Sequence, residues 1–241
     1  MPKRLFVVGV GPGSPKYLTE TAKSAIHKSQ YIAGYKYTLT IVEGILNRRI
    51  QKIYEVTMKT QEGIYRDIYT NMSDGDYCAI PFTGDVNFSE SEVVDRLLEL
   101  FGYDNVEIIP GISSIQVAAA KSKVPLDKSH IITFHVSGDI EQKKMELIKS
   151  VIDMKSVILL PRPWAKDHTR QFMQSEIAIF LRKVGIDTSN LNTWVFENLT
   201  ADNNKEIIFK GKVSDLEGKE FGELSVMVID QVKRQTYLEF D

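Results

Sequence analysis

Short runs of β-forming residues alternate with helix-period segments through the first half of this 241-residue chain. Such alternation calls for parallel strands joined by crossover helices. Leu5-Phe-Val-Val8, Tyr31-Ile-Ala33, Lys52 to Val56, Tyr77 to Pro81 and Val106-Glu-Ile-Ile109 read as strands. Between them, helical spacing predicts helices over Thr19 to Ser29, Tyr37 to Leu46, Glu62 to Met72 and Ile115 to Ala120. Ser89-Glu-Ser-Glu92 has the capping-box spacing, a hydroxyl with a carboxylate three residues on, and opens a further helix that Gly102 closes. Around Lys121 to Ser129 the pattern breaks into a polar stretch containing Pro125, which places a domain junction there and divides the chain into 1–124 and 125–241.

The second half restarts the cycle with a strand at Ile131 to Val136, a helix at Glu141 to Ile152, a strand at Ser156 to Leu160 and a long helix at Lys166 to Lys183. Three strands with little helix between them then follow, at Thr193 to Glu197, Glu206 to Lys210 and Leu224 to Asp230. That change predicts antiparallel pairing on one side of the second sheet. The expected fold is α/β in two domains, with a mostly parallel sheet in the first and a mixed sheet in the second.

Charge sets the kind of partner. Thirty basic residues against 32 acidic ones leave a formal charge of -2, so no global field draws the chain to nucleic acid or to an acidic membrane. An anionic ligand must be met by local groups. Cys78 is the only cysteine, which excludes an intramolecular disulfide, and its apolar neighbours mark it as a buried small hydrophobe. His27, His130, His135 and His168 are scattered and read as surface or packing residues, so no metal site is expected. No apolar stretch nears the roughly 20 residues that cross a bilayer, and the first apolar run is too short for a signal sequence. The expected location is the cytoplasm.

Three loops share one plan, in which a strand ends, a glycine follows, and a hydroxyl or acid precedes the next helix. They are Gly9-Val-Gly-Pro-Gly13, Thr83-Gly-Asp-Val-Asn-Phe88 and Pro110-Gly-Ile-Ser-Ser114. In an open α/β sheet such loops gather at the carboxyl ends of the strands, where ligands bind. The first loop invites a dinucleotide reading, yet Pro12 and Pro15 delay the helix to about Thr19, so no helix end is aimed at a phosphate. The ribose-binding acid is also missing from Ile32-Ala-Gly-Tyr-Lys36. In the second loop Gly84 permits close backbone approach, and Asp85 either caps a turn or holds a polar ligand edge. In the third, Ser113 and Ser114 are helix caps whose hydroxyls could also meet a ligand. Each loop alone has a structural reading; three together at one sheet edge exceed what chain reversal requires.

Val8-Gly-Val-Gly-Pro-Gly-Ser-Pro-Lys-Tyr-Leu-Thr19 resembles the opening signature of the tetrapyrrole methylase family, a Gly-x-Gly-Pro-Gly turn followed by Leu-Thr. Ala33-Gly-Tyr-Lys36 and Gly111-Ile-Ser-Ser-Ile-Gln-Val-Ala-Ala-Ala-Lys121 are most similar to the branch that methylates C5 of a cobalt-precorrin, and Trp194-Val-Phe-Glu-Asn-Leu199 resembles its second-domain strand. The resemblance implies an S-adenosylmethionine-dependent methyltransferase of cobalamin biosynthesis. It implies a ligand cleft between the two domains, S-adenosylhomocysteine as the second product, and a homodimer. The cofactor would be held largely by backbone at Gly84, Asp85 and Val86 and by Ser113 and Ser114, with Gly9, Gly11, Pro12 and Glu197 completing the set. Val86 stands where the family usually has proline, Asn87 is also unusual, and Leu160-Pro-Arg-Pro-Trp164 departs from the family pattern.

A tetrapyrrole carries several carboxylates, which directs attention to basic residues on strand-end loops. Lys36 and Arg162 are the candidates for substrate binding, together with Gly13. In-line transfer from a sulfonium needs no metal and no covalent nucleophile, and no catalytic residue is assigned. Two alternatives stay open: another methylase of the same fold, on uroporphyrinogen or on a protein or RNA target, and a non-catalytic ligand-binding subunit. A separate C15-methylating decarboxylase is a possible partner of the first reading.

Overall fold

The computed structural model describes residues 2–163, 168–201 and 205–233. They form two compact units, Met1–Ser114 with Thr200–Asn204, and Ile115–Leu199 with Lys205–Asp241.

The first unit holds β1 (Arg4–Gly9), α1 (Glu20–Lys28), β2 (Tyr31–Tyr35), α2 (Lys36–Val42), β3 (Lys52–Val56), α3 (Gln61–Asn71), β4 (Tyr77–Phe82), α4 (Ser91–Phe101) and β5 (Val106–Ile109). Its five strands lie in the order β3-β2-β4-β1-β5, and every pairing is parallel. Successive side chains of a strand face opposite sides of the sheet. Phe6, Val8 and Ile32 accordingly pack with Ala22, Ile26 and Leu39 of α1 and α2. Leu5, Val7, Ala33 and Ile80 pack with Ile68, Val94 and Leu97 of α3 and α4 on the other side. Both faces are covered, which is why these strands read as continuous apolar runs rather than alternating ones.

This split of the helices follows from the right-handedness of parallel crossovers. Through α1 and α2 the chain steps outward from β1 to β2 and β3 on one face; through α3 and α4 it returns to β4 and then to β5 on the other. The adjacent strands β1 and β4 therefore send their connections in opposite directions. Their carboxyl ends are the topological switch point, the position at which doubly wound sheets bind ligands.

Local chemistry sets where the helices begin. Pro15 opens a short 3-10 turn, and α1 starts only after Thr19, whose hydroxyl accepts from the Ala22 amide at 3.1 Å. The opening of α4 differs from the sequence expectation. It begins at Ser91 with Glu90, not Ser89, in the cap position and with no cap bond from the Glu90 side chain. Ser89 instead takes a left-handed conformation with φ of 81°, just past a turn closed by the Phe88 amide on the Asp85 carbonyl at 3.2 Å.

The second unit carries most of α5 (Ser114–Ser122), then β6 (Ser129–Thr133), α6 (Glu141–Ile152), β7 (Ser156–Leu160), α7 (Gln174–Lys183), β8 (Asn192–Glu197), β9 (Ile207–Lys212) and β10 (Ser225–Asp230). The sheet order is β6-β7-β10-β8-β9, with β6 and β7 parallel and the other pairs antiparallel. The mixed sheet is the one expected. Leu147 and Val151 of α6 and Ile177, Ala178 and Leu181 of α7 bury one of its faces against Ile132, Val157, Leu159, Val195 and Met227.

Two boundaries in this unit move by three residues or more. The first strand of this sheet ends at Thr133, three residues before Val136, because the Val136 amide turns back onto the Phe134 carbonyl at 2.8 Å. The long helix expected from Lys166 begins only at Gln174, after a 3-10 turn at His168–Arg170; residues 166 and 167 lie outside the described residues. Phe172 cannot be helical because its backbone pairs twice with Arg162, at 2.9 Å each way, and its ring is buried between Phe134 and Phe180. Among the described residues no helix is long and apolar enough to cross a membrane.

Candidate cofactor and substrate site

In the first unit, β4, β1 and β5 are neighbours, so the loops that follow them meet at one edge of the sheet. Gly11 and Gly84 form an antiparallel bridge: the Gly84 amide donates to the Gly11 carbonyl at 2.8 Å, and the Gly11 amide to the Gly84 carbonyl at 3.2 Å. The Val10 amide adds a bond to the Phe82 carbonyl at 2.9 Å. Both bridge residues have positive φ, 82° at Gly11 and 73° at Gly84, a region in which L side chains are strained. Glycine is thus required where the first two loops are tied together.

The third loop closes on the same point. A Cβ on Gly9 would stand 2.5 Å from the Gly111 nitrogen and 2.8 Å from the Gly84 oxygen. The three strand ends are consequently in backbone contact. Gly111 was not among the sequence-derived site residues, although it lies in a loop singled out there; spacing along the chain carries no sign that it would back onto Gly9.

The space beside Gly84 suits a ligand that approaches backbone. A Cβ placed there would meet only the Ser114 nitrogen, at 3.7 Å, so the residue faces open room bordered by the first amide of α5. Val86 is 1% exposed and belongs to the apolar core beneath α3 and α4. Its side chain is committed inward, leaving its peptide as the part available to a ligand. Asp85 accepts from the Asn87 amide at 2.6 Å, which fixes the turn, and remains partly exposed. Pro12 is buried and Gly13 partly buried, ahead of the Ser14 that caps the 3-10 turn. The Ser14 amide donates to Thr200 Oγ1 at 3.0 Å, tying the first loop to a segment far along the chain. Lys36 is exposed at the first position of α2, beyond the carboxyl end of β2.

Arg162 and Glu197 belong to the second unit. Arg162 is 4% exposed, which excludes a solvated surface role, and its guanidinium donates to the Ser137 carbonyl at 3.3 Å. Arg170 donates to the same carbonyl at 2.7 Å. Burial and the Arg170 charge both lower the Arg162 pKa, and Asp139 opposes them. Glu197 is the last residue of β8 and is partly buried, with the Gly222 backbone close beside its carboxylate.

Of the histidines, His27 is exposed near the end of α1, and His130 Nδ1 is bonded to Ser150 Oγ. Burial holds the His135 ring below its ordinary pKa. The His168 side chain lies outside the described residues. Cys78 is fully buried in β4, and its burial pushes the thiol pKa far up, as its apolar neighbours implied.

The model of the tetrapyrrole (corrin/porphyrin) methylases matches residues 4–217. The chain belongs to the tetrapyrrole methylases. A probable cobalt-precorrin-7 C(5)-methyltransferase from Methanocaldococcus jannaschii is 30% identical over 227 residues, which cover 94% of this chain and 97% of that one. Among solved structures, the methyltransferase CobJ superposes with a TM-score of 0.76 at 17% identity, covering 97% of each chain. The cobalamin biosynthesis precorrin-6Y methylase of Archaeoglobus fulgidus gives a TM-score of 0.63 at 21% identity, covering 95% of this chain and 99% of that one. This tetrapyrrole methylase thus has the two α/β domains that the resemblance of its opening signature implied, one sheet parallel and the other mixed.

Proposed function

We propose that this methylase transfers the methyl group of S-adenosylmethionine to a carbon of a corrinoid precursor, C5 of a cobalt-precorrin, in cobalamin biosynthesis. Support for the step comes from the Methanocaldococcus relative, whose likeness runs over nearly the full length of both chains. Support for the site comes from the glycine junction, above all the open face of Gly84 beside the Ser114 amide. The fit is chemical as well as spatial: a nucleoside presents donors and acceptors along its edges, and peptide groups answer both.

In this reading Gly84, Asp85, Val86, Ser113 and Ser114 hold the cofactor, with Gly9, Gly11 and Pro12 shaping the junction and Glu197 a further proposed contact. When bound, S-adenosylmethionine supplies a methyl group activated by the positive sulfur. The protein's share is placement. Orientation of two reactants can contribute up to about 7 to 11 kcal/mol, and an anchored backbone junction is suited to it because its atoms have little freedom left to lose. Lys36 and Arg162 supply positive charge for the substrate's carboxylates, with Gly13 lining its approach. The enzyme acts as a cytoplasmic homodimer in this account, which sedimentation of the purified protein checks.

The deciding experiment incubates the protein with S-adenosylmethionine and cobalt-precorrin-7 and follows product mass. Addition of one methyl group supports the reading. Binding of both ligands without methyl transfer would make the chain a non-catalytic subunit, and transfer to uroporphyrinogen instead would move it to another branch of the family.

A further inference from the structure

A group of cations in the second unit surrounds a cavity at the amino end of β8. The cavity is open, measures about 880 Å³, and is lined by Trp194 of β8, Lys210 and Lys212 of β9, Lys121 near the end of α5 and Lys123 just past it. Strand register builds one wall. Trp194 pairs with Lys210 and Asn192 with Lys212, so these four side chains share one face of the sheet. Glu197 stands at the other end of β8, roughly 17 Å along the strand, so the cavity is separate from it.

The lysines are held at the rim by light contacts. Lys210 Nζ lies 4.5 Å from the centroid of the Trp194 ring, and Lys212 Nζ donates to Asn192 Oδ1 at 2.8 Å. Lys121 Nζ pairs with Glu206 at 2.8 Å, both side chains being partly open to solvent. Contacts of this kind are weak in water and yield to a ligand that carries several anionic groups. With Asp230 in the lining and Glu206 beside Lys121, four cations face two carboxylates. A hollow lined mainly by one sign of charge concentrates the potential inside it.

Two features set this cluster apart from ordinary surface charge. Edge strands carry lysines to deter pairing with another chain, yet Ile207 and Ile208 of the same edge strand β9 are 51% and 49% exposed, and the charge is gathered at the cavity end. Lys123 takes a left-handed conformation with φ of 58° where a helix usually ends on glycine, so a cation is kept there against the backbone preference.

We propose that this cavity binds an organic polyanion with a flat ring, its anionic groups meeting the four lysines and its ring lying on the Trp194 indole. A volume within roughly 300 to 1,000 Å³ suits a cofactor-sized molecule. On binding, the Lys210 ammonium leaves the indole for an anionic group and frees the ring face for stacking. A nucleoside polyphosphate and a polycarboxylated macrocycle share this chemistry.

The test titrates ATP and cobyrinic acid, a corrin polycarboxylate, into the full-length protein and measures binding heats. Trp164→Phe leaves Trp194 as the one tryptophan, whose emission reports the cavity. At least one probe should bind with Kd below about 100 μM at low ionic strength, more weakly as salt rises, and change the Trp194 emission. The probe that binds identifies the source of the anionic groups. Lys210→Gln combined with Lys212→Gln should weaken binding about 10-fold or more, with the circular dichroism and the affinity for S-adenosylhomocysteine unchanged. Binding is read without turnover, so the result is independent of the methyl-transfer step. No binding of either probe, binding that leaves the Trp194 emission unchanged, or equal affinity in the lysine variant would overturn the proposal. Loss of S-adenosylhomocysteine affinity in that variant would also overturn it, by making the cavity part of the cofactor site.

Discussion

Gly9 and Gly111 back onto each other so closely that a methyl group on Gly111 would stand 2.6 Å from the Gly9 carbonyl carbon and 2.3 Å from the Gly84 oxygen. All of these obstructing atoms are backbone, and no side chain can rotate away to relieve them. Gly111→Ala is therefore expected to cost about 1 to 3 kcal/mol or more in stability and to weaken binding of S-adenosylhomocysteine. Gly63, inside α3 with nothing within 4 Å of its added Cβ, is the control. Gly63→Ala should stabilise by about 0.5 to 1 kcal/mol and leave binding unchanged. Thermal melts and calorimetry on both variants check the contrast.

Glu90 also makes stability depend on pH. Its carboxyl rises from 4.5 to about 7 on folding, so between those values the folded protein holds a proton that the unfolded chain has released. That contribution is fully present below about pH 4.5 and is lost as pH rises through 7. Glu90→Gln should exceed the wild type only slightly at pH 5 and by up to about 2 kcal/mol at pH 8, once the solvent reaching the carboxyl is allowed for. His135 acts at the opposite end. Burial lowers its pKa from 6.5, so its contribution is lost as pH falls below that value in wild type and variant alike. Urea titrations at pH 5 and pH 8 separate the two.

Lys36 is exposed at the start of α2. Lys36→Ala should leave the melting temperature unchanged and raise KM for a polycarboxylate substrate, more at low salt than at high salt because exposed charges are screened. Equal KM at every salt concentration would remove Lys36 from the site.

Thr19 carries the cap of α1 through its 3.1 Å bond to the Ala22 amide. Thr19→Ala should destabilise by about 1 kcal/mol, read from urea titrations.

Much of the architecture was legible before any coordinates, for physical reasons that also mark where legibility stopped. Strands buried on both faces announce themselves as apolar runs, and Pro12 and Pro15 delay α1 to Glu20 through a missing donor and a fixed φ. The helix expected from Lys166 starts at Gln174 because the Phe172 backbone forms a strand-like bridge to Arg162, a pairing distant enough in sequence that only tertiary structure decides it. The shift of the α4 cap to Glu90 depends on the left-handed turn at Ser89, which no spacing rule supplies. The glycine loops were visible singly, but the contact of Gly9, Gly84 and Gly111 exists because β1 lies between β4 and β5. Tyr35 and Gln61, 26 residues apart, meet for the same kind of reason, at the end of β2 and the start of α3.

The central claim, that the strand tips of the first unit hold the methyl donor through their backbone, is tested most directly by a crystal structure with S-adenosylhomocysteine. The account predicts the nucleoside against the peptides of Gly84, Asp85 and Val86 and the amino end of α5 at Ser113 and Ser114. Density for the ligand in some other cavity, with those loops untouched, would contradict it.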